Sequence, residues 1–171
     1  MKRYYPTNIF RIILITFSVL TLLHSPLSAE PIKTAVDYFN EASEHYAKRD
    51  YGEAIRSYTK AIELNPKFAE AYYGRGSAAA MLNAYDKALA DFDKVLEIDP
   101  ADVEANYNKG LTYEIIGENE KALAEYKHFV ENAHFQVPDG IIEQAKRKIK
   151  KLELKIEREQ ALKKGEKKGA H

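Results

Sequence analysis

Residues 69–102 read AEAYYGRGSAAAMLNAYDKALADFDKVLEIDPAD, and this stretch decides the fold because the chain contains it three times in altered form. Laying residues 35–68 over it gives eight identities: Ala35/Ala69, Tyr38/Tyr72, Ser43/Ser77, Tyr51/Tyr85, Ala54/Ala88, Lys60/Lys94, Glu63/Glu97 and Pro66/Pro100. Chance would give about two. Laying residues 103–136 over it gives nine more, among them Tyr73/Tyr107, Gly76/Gly110, Ala88/Ala122, Leu89/Leu123 and Glu97/Glu131. The period is 34 residues, the length of one supersecondary unit that cannot bury its own apolar face and must stack on its neighbours.

Within each copy the residue types have mechanical meaning. Small residues at Ala42, Gly76 and Gly110, and again at Ala54, Ala88 and Ala122, let two helices cross closely. Tyr58, Phe92 and Tyr126 then fill the space between copies, while Pro66 and Pro100 lack a backbone donor and end each second helix. The pattern predicts helices over residues 33–47, 51–64, 69–82, 85–97, 103–116 and 119–132, with tight turns near Arg49-Asp50, Asn83-Ala84 and Gly117-Glu118. Position 134, where the third copy should have proline, is His134, and the proline arrives at Pro138. From there Ile141, Ile142, Ala145, Ile149, Leu152 and Ile156 recur every three to four residues, predicting one more helix with a single apolar face over residues 139–164. Residues 165–171 read as a disordered basic tail.

These repeats resemble the tetratricopeptide repeat, and the middle copy follows that family's pattern almost throughout. The resemblance implies an all-α, right-handed solenoid of antiparallel helix hairpins over residues 35–68, 69–102 and 103–136, closed by the C-terminal capping helix. It also implies a concave groove built by the first helices, at repeat positions 2, 5, 6, 9, 12 and 13. Carried onto this sequence, those positions give a candidate partner-binding groove of Phe39, Asn40, Tyr46, Glu70, Tyr73, Met81, Glu104, Tyr107, Asn108 and Leu111, with Glu114 as a further acid. Phe39, Tyr73 and Tyr107 share one position and are expected to form an aromatic ladder suited to an extended or helical peptide. The other reading of each ring is packing against the neighbouring helix. Family members that hold a C-terminal carboxylate use Lys/Arg and Asn at fixed groove positions. The equivalents here are Phe39, Ser43, Gly74, Glu104 and Asn108, with no cation, which argues against that clamp.

Composition narrows the function further. The chain of 171 residues is neutral overall, yet residues 30–138 carry 12 Lys/Arg against 20 Asp/Glu, a balance of −8, and residues 139–171 carry 11 against 6, a balance of +5. The repeats therefore lack the basic footprint of a nucleic-acid binder, and no nucleic-acid partner is expected. No cysteine is present, which excludes disulfides, thiol nucleophiles and Cys-ligated metal. His45, His128 and His134 show no ligand or catalytic spacing and there is no glycine-rich phosphate loop, so no catalytic residue, cofactor or metal is assigned. The expected role is a scaffold or adaptor for a protein or peptide partner. The competing expectation uses Lys146, Arg147, Lys148, Lys150, Lys151 and Lys155 to dock on an anionic membrane or polyanion, with the repeats as a spacer. Interspersed Glu143, Glu153, Glu157 and Glu159 instead favour a solvated capping face.

The first 29 residues read as an address. Lys2, Arg3 and Arg11 precede an apolar run from Ile12 to Leu23, and small residues follow through Ser28 and Ala29. About twelve apolar residues match a secretory signal, whereas a membrane span needs about 20. Cleavage is expected after Ala29, with Ser28 as the competing site, and retention of the segment as an anchor is the alternative. A periplasmic or secreted location follows from that reading.

Overall fold

The structure is a computed structural model that describes residues 32–133 and 137–168. Residues 1–29, expected to be a signal segment, together with His134 and residues 169–171, lie outside the described residues. From Lys33 onward the chain forms one unit of seven helices among the described residues: α1 (Ala35–Ala47), α2 (Tyr51–Leu64), α3 (Ala69–Met81), α4 (Tyr85–Ile98), α5 (Val103–Ile116), α6 (Asn119–Asn132) and α7 (Asp139–Lys168). They pair as α1/α2, α3/α4 and α5/α6, each pair packing on the next, in an all-α solenoid.

Local chemistry sets the helix boundaries. Thr34 and Asp37 form a reciprocal cap at the start of α1, with the Asp37 N–H donating to Thr34 Oγ1 (3.2 Å) and the Thr34 N–H to Asp37 Oδ2 (2.8 Å). Asp102 caps α5 by accepting from the Ala105 N–H at 2.9 Å. Arg49, Asn83 and Gly117, 34 residues apart, all turn the chain with left-handed backbone (φ 65°, 59° and 84°). At the other end of each pair, Asn65 and Asp99 precede proline with extended backbone, and their carboxamide and carboxylate accept from the N–H two residues on, at 3.1 and 3.0 Å.

The core is built where side chains are missing. Ala42, Ala54, Ala88 and Ala122 are fully buried, and rings from the second helices lie against glycines of the first. A methyl group on Gly110 would stand 2.7 Å from Tyr126 Cε1, and one on Gly76 would stand 3.1 Å from Phe92 Cε1. The Tyr58 ring reaches into the next pair and presses on Gly74. Burying Phe92, Tyr126 and Phe129 contributes about 2–3 kcal/mol each.

The seventh helix takes the place of a fourth first helix. Ala145, Leu152 and Ile156 are buried, with Leu152 against Ala122 and Tyr126. Lys155 Nζ donates to Asn119 Oδ1 at 3.2 Å, so α7 runs antiparallel to α6 and reaches its first residue near 155. Gln144 stands where Gly76 and Gly110 stand in their repeats. The helix continues to Lys168, beyond the expected end at 164 and into the stretch expected to be disordered. Heavy charge along it accounts for one further fact: among the described residues no helix is long and apolar enough to cross a membrane.

Glycine substitutions test this packing. Gly110→Ala is expected to lower unfolding free energy by about 1–3 kcal/mol, because the Tyr126 ring has to move. Gly52→Ala, where an added methyl meets nothing within 4 Å, is expected to raise it by about 0.5 kcal/mol. Urea denaturation of both variants measures the contrast, and equal effects would contradict the packing role of Gly110.

Candidate functional site

A cleft of about 530 Å³ opens along the first helices, from Phe39 and Tyr46 on α1, across α3, to Leu111 and Ile115 on α5. Eight of the ten candidate groove residues line it: Phe39, Tyr46, Glu70, Tyr73, Met81, Glu104, Asn108 and Leu111. Asn40 and Tyr107 do not. Asn40 is exposed on α1. Tyr107 lines a smaller neighbouring cavity of about 250 Å³ with Tyr73, Phe129, Pro138 and Ile141. Met81 and Ile115, 51% and 63% exposed, give the cleft an accessible apolar wall.

The expected aromatic ladder takes a different form. Each ring packs on the second helix of its own repeat, with nearly constant geometry: Phe39 on Tyr58 at 5.7 Å and 56°, Tyr73 on Phe92 at 5.9 Å and 58°, Tyr107 on Tyr126 at 5.7 Å and 57°. Phe39 also meets Phe68 at 5.0 Å, and Tyr107 meets Phe129 at 5.1 Å. The rings are half-buried and divide their faces between core and cleft. Glu114 also departs from expectation. It turns toward α7, pairing with Lys148 Nζ at 2.7 Å and accepting from the Tyr126 hydroxyl at 3.0 Å. The cap helix carries a cation opposite that position, and a buried carboxylate takes the nearest strong donor.

The polar centre of the cleft lies between the second and third repeats. Asn108 Nδ2 donates to Tyr73 Oη at 2.6 Å and to the Glu104 carbonyl at 3.1 Å. Both amide hydrogens are thereby used, leaving Asn108 Oδ1 as an acceptor and the Tyr73 hydroxyl hydrogen as a donor. A peptide unit presents the matching C=O and N–H. Burial, reinforced by the Glu104 charge and opposed by the Asn108 bond, pushes the Tyr73 hydroxyl up to about 12, so it remains a donor at neutral pH. Around this pair stand Glu70, Asp102 and Glu104, and no Lys or Arg lines the cleft among the described residues. Glu70 and Glu104 lie in the first turns of α3 and α5, where helix dipoles favour acids in any case. Here that preference also makes the rim of an apolar cleft negative.

Away from the cleft, two cations absent from the sequence-based site knit the repeats. Arg75 grips Asp91 with two bonds (2.9 and 2.7 Å) and donates to Thr59 of the preceding repeat at 3.2 Å. One period later Lys109 pairs with Glu125 at 2.9 Å and with Asp93 of the preceding repeat at 2.8 Å. The 34-residue alignment of Arg75 with Lys109, and of Asp91 with Glu125, was the available signal. Likewise Ile141 stands one period after Tyr107 and extends the groove onto α7. Asp102, also missed, enters because its capping role holds it at the cleft edge.

Two family models described as tetratricopeptide repeat match residues 39–103 and 92–124. The chain belongs to the tetratricopeptide repeat family. Over 53 residues it is 42% identical to the DnaJ homolog subfamily C member 7 of Homo sapiens, a match that spans 31% of this chain and 10% of that protein. Among solved structures, the Sgt2 TPR domain from Aspergillus fumigatus superposes with a TM-score of 0.65 at 23% identity, covering 80% of this chain and 88% of that one. The TPR2B domain of yeast Sti1 in a pHsp70 complex gives 0.62 at 28% identity, covering 68% and 96%. The first TPR of Spaghetti (RPAP3) bound to the HSP90 peptide SRMEEVD gives 0.63 at 19%, covering 72% and 93%.

The junction of α5, α6 and α7 generates a pH prediction. Burial raises the Glu114 pKa, but the Lys148 and Tyr126 hydrogen bonds outweigh it and hold the carboxyl below its ordinary value. A carboxyl depressed in the folded state stabilises fully above the unfolded pKa and stops doing so as pH falls through the folded one. Glu114→Gln is expected to cost about 1.5 kcal/mol at pH 7 and close to nothing below the ordinary carboxylate range. Paired thermal melts across pH 2.5–7 measure the difference, and a gap that persists unchanged in acid would remove Glu114 from this role.

Proposed function

We propose that this protein is an adaptor that holds a neutral or basic peptide segment of a partner protein in the cleft between its first helices. The observation that carries this reading is the composition of the cleft: accessible Met81 and Ile115, one free donor and one free acceptor on the Tyr73–Asn108 pair, and three carboxylates without a lining cation. Apolar anchors contribute area, the polar pair suits a backbone amide, and the acids select against an acidic ligand. Relatives support a peptide-binding role in kind. The Sti1 domain is described in a pHsp70 complex, and the Spaghetti domain with SRMEEVD. The ligand preference differs here, because SRMEEVD has three acidic residues and the cleft would repel them.

Tests of this reading avoid Tyr73→Ala and Tyr107→Ala, since both rings pack on core aromatics and their loss would cost about 3–5 kcal/mol of stability. A Met81→Glu, Ile115→Glu pair changes only exposed wall residues, and Tyr73→Phe removes one hydroxyl, which is both the free donor and the acceptor of the Asn108 amide, while keeping the ring. Both variants are expected to keep wild-type helicity and lose crosslinked partners in the native compartment by about tenfold or more. In titration calorimetry SRMEEVD is expected not to bind, and its Lys-substituted counterpart SRMKKVK to bind. Undiminished partner recovery by both variants, or preference for the acidic peptide, would sink the assignment.

The proposed place of action is outside the cytoplasm, periplasmic or secreted, and rests on the order of basic, apolar and small residues over positions 2–29. Expression of the full chain followed by N-terminal sequencing is expected to return a mature start at Glu30. An intact Met1 in a membrane pellet would mean retention as an anchor instead.

A further inference from the structure

The end of α7 is helical beyond the part docked on the repeats. Among the described side chains Ile156 is its last buried residue, and the Lys155–Asn119 bond marks the level at which α6 begins. Residues 157–168 continue for twelve residues past that level, about 18 Å at 1.5 Å per residue. Leu162 on this spur is 63% exposed, and Lys163 and Lys164 beside it are exposed too. From Leu162 to Lys168 the sequence reads LKKGEKK, with four Lys against one Glu.

The spur and the cleft are opposites in kind. One is a rod with an exposed Leu162 and a charge excess of five Lys/Arg against three Glu, concentrated after Leu162. The other is a concave surface with an apolar wall among carboxylates, Glu70, Asp102 and Glu104. The spur cannot enter the cleft of its own chain, because it continues a helix pinned to α6 by Leu152 and the Lys155–Asn119 bond and to α5 by the Glu114–Lys148 pair. To fold back, α7 would have to break.

We propose that the occupant of the cleft includes the α7 spur of a second copy, with Leu162 on the cleft floor near Tyr73 and Leu111 and the Lys163 and Lys164 charges near Glu70 and Glu104. This rests on the reading of the cleft as a peptide site. An amphipathic helix laid in an apolar groove is an established recognition mode, and opposite charge sets its register and on-rate. The spur is continuous with a docked helix, so binding does not have to nucleate it. Contact between two different surfaces is heterologous, so association continues with concentration unless a ring closes.

The experiment compares three full-length proteins by light scattering after size exclusion, at low and high salt. They are wild type, a cleft variant (Glu70→Lys, Glu104→Lys) and a spur variant (Lys163→Glu, Lys164→Glu). Wild type is expected to gain mass with concentration at low salt and lose that gain at high salt. Each variant alone is expected to associate at least about tenfold more weakly, because its cleft and spur then carry the same sign. An equimolar mixture of the two variants is expected to recover association, since each supplies the spur the other's cleft accepts. The segment before residue 32 is common to all three and cancels. A wild type of constant monomer mass, a spur variant that associates like wild type, or a mixture that gains nothing would each overturn the proposal. SRMKKVK titrated into the same proteins separates the two readings. Binding to a monomeric wild type but not to the cleft variant would leave the peptide site standing with another protein as its occupant.

Discussion

Three rings at 34-residue spacing, Tyr58, Phe92 and Tyr126, hold the molecule together. Each lies on the second helix of its repeat and faces the position-5 ring of the first helix at nearly the same distance and tilt. Each needs a helix backbone without a side chain beside it, which Gly74, Gly76 and Gly110 provide. The last ring also donates its hydroxyl to Glu114 and lies under the Lys148 ammonium, so it ties the cap to the third repeat. Tyr58 and Phe92 form part of the cleft floor as well. Core and candidate site therefore share atoms, and the floor of the cleft is as rigid as the packing that builds it.

That sharing explains what could be read in the sequence. The ends of the six repeat helices fell within two residues of expectation because proline, small residues and caps act over one turn, within reach of local pattern. The left-handed turn residues Arg49, Asn83 and Gly117 lie where the period places them. Ring orientation was not legible in the same way. A shared repeat position says which face of a helix a residue occupies. Whether Phe39, Tyr73 and Tyr107 face one another or their own second helices depends on rings about 19 residues further along, which compete for the same space. Glu114 went astray for a similar reason, because its partner Lys148 lies on a helix outside the repeat.

The repeats are also joined by charge, and this part is asymmetric. Arg75 and Lys109 each bridge an acid of their own repeat and a polar residue of the one before, while the first repeat has Glu41 at that position. Both bridges join helices already packed by their rings, and Asp91 is nearly buried, so losing one partner would strand the other in poor solvent. Such pairs specify which repeat follows which more than they add stability. The interfaces on both sides of α3 are therefore fixed by a ring together with Arg75, through a hydrogen bond to Thr59 on one side and an ion pair with Asp91 on the other.

The asymmetry reaches the cleft. The first repeat contributes rings, Phe39 and Tyr46, and no charge. The carboxylates and the Tyr73–Asn108 pair come from the second and third. A ligand would thus meet an apolar end and a polar, negative end, which gives the groove a direction. The same segregation leaves the cap positive, at the far end of the chain from the uncharged part of the cleft. Some of its charges are used within the fold: Lys148 pairs with Glu114, Glu153 with Lys127 of α6, and Lys155 donates to Asn119. Among the described residues, Lys163 and Lys164 on the spur pair with no acid of the repeats. Excess positive charge is thus held where the fold cannot neutralise it and excess negative charge where the fold leaves a concavity. Only a contact between molecules can bring the two together.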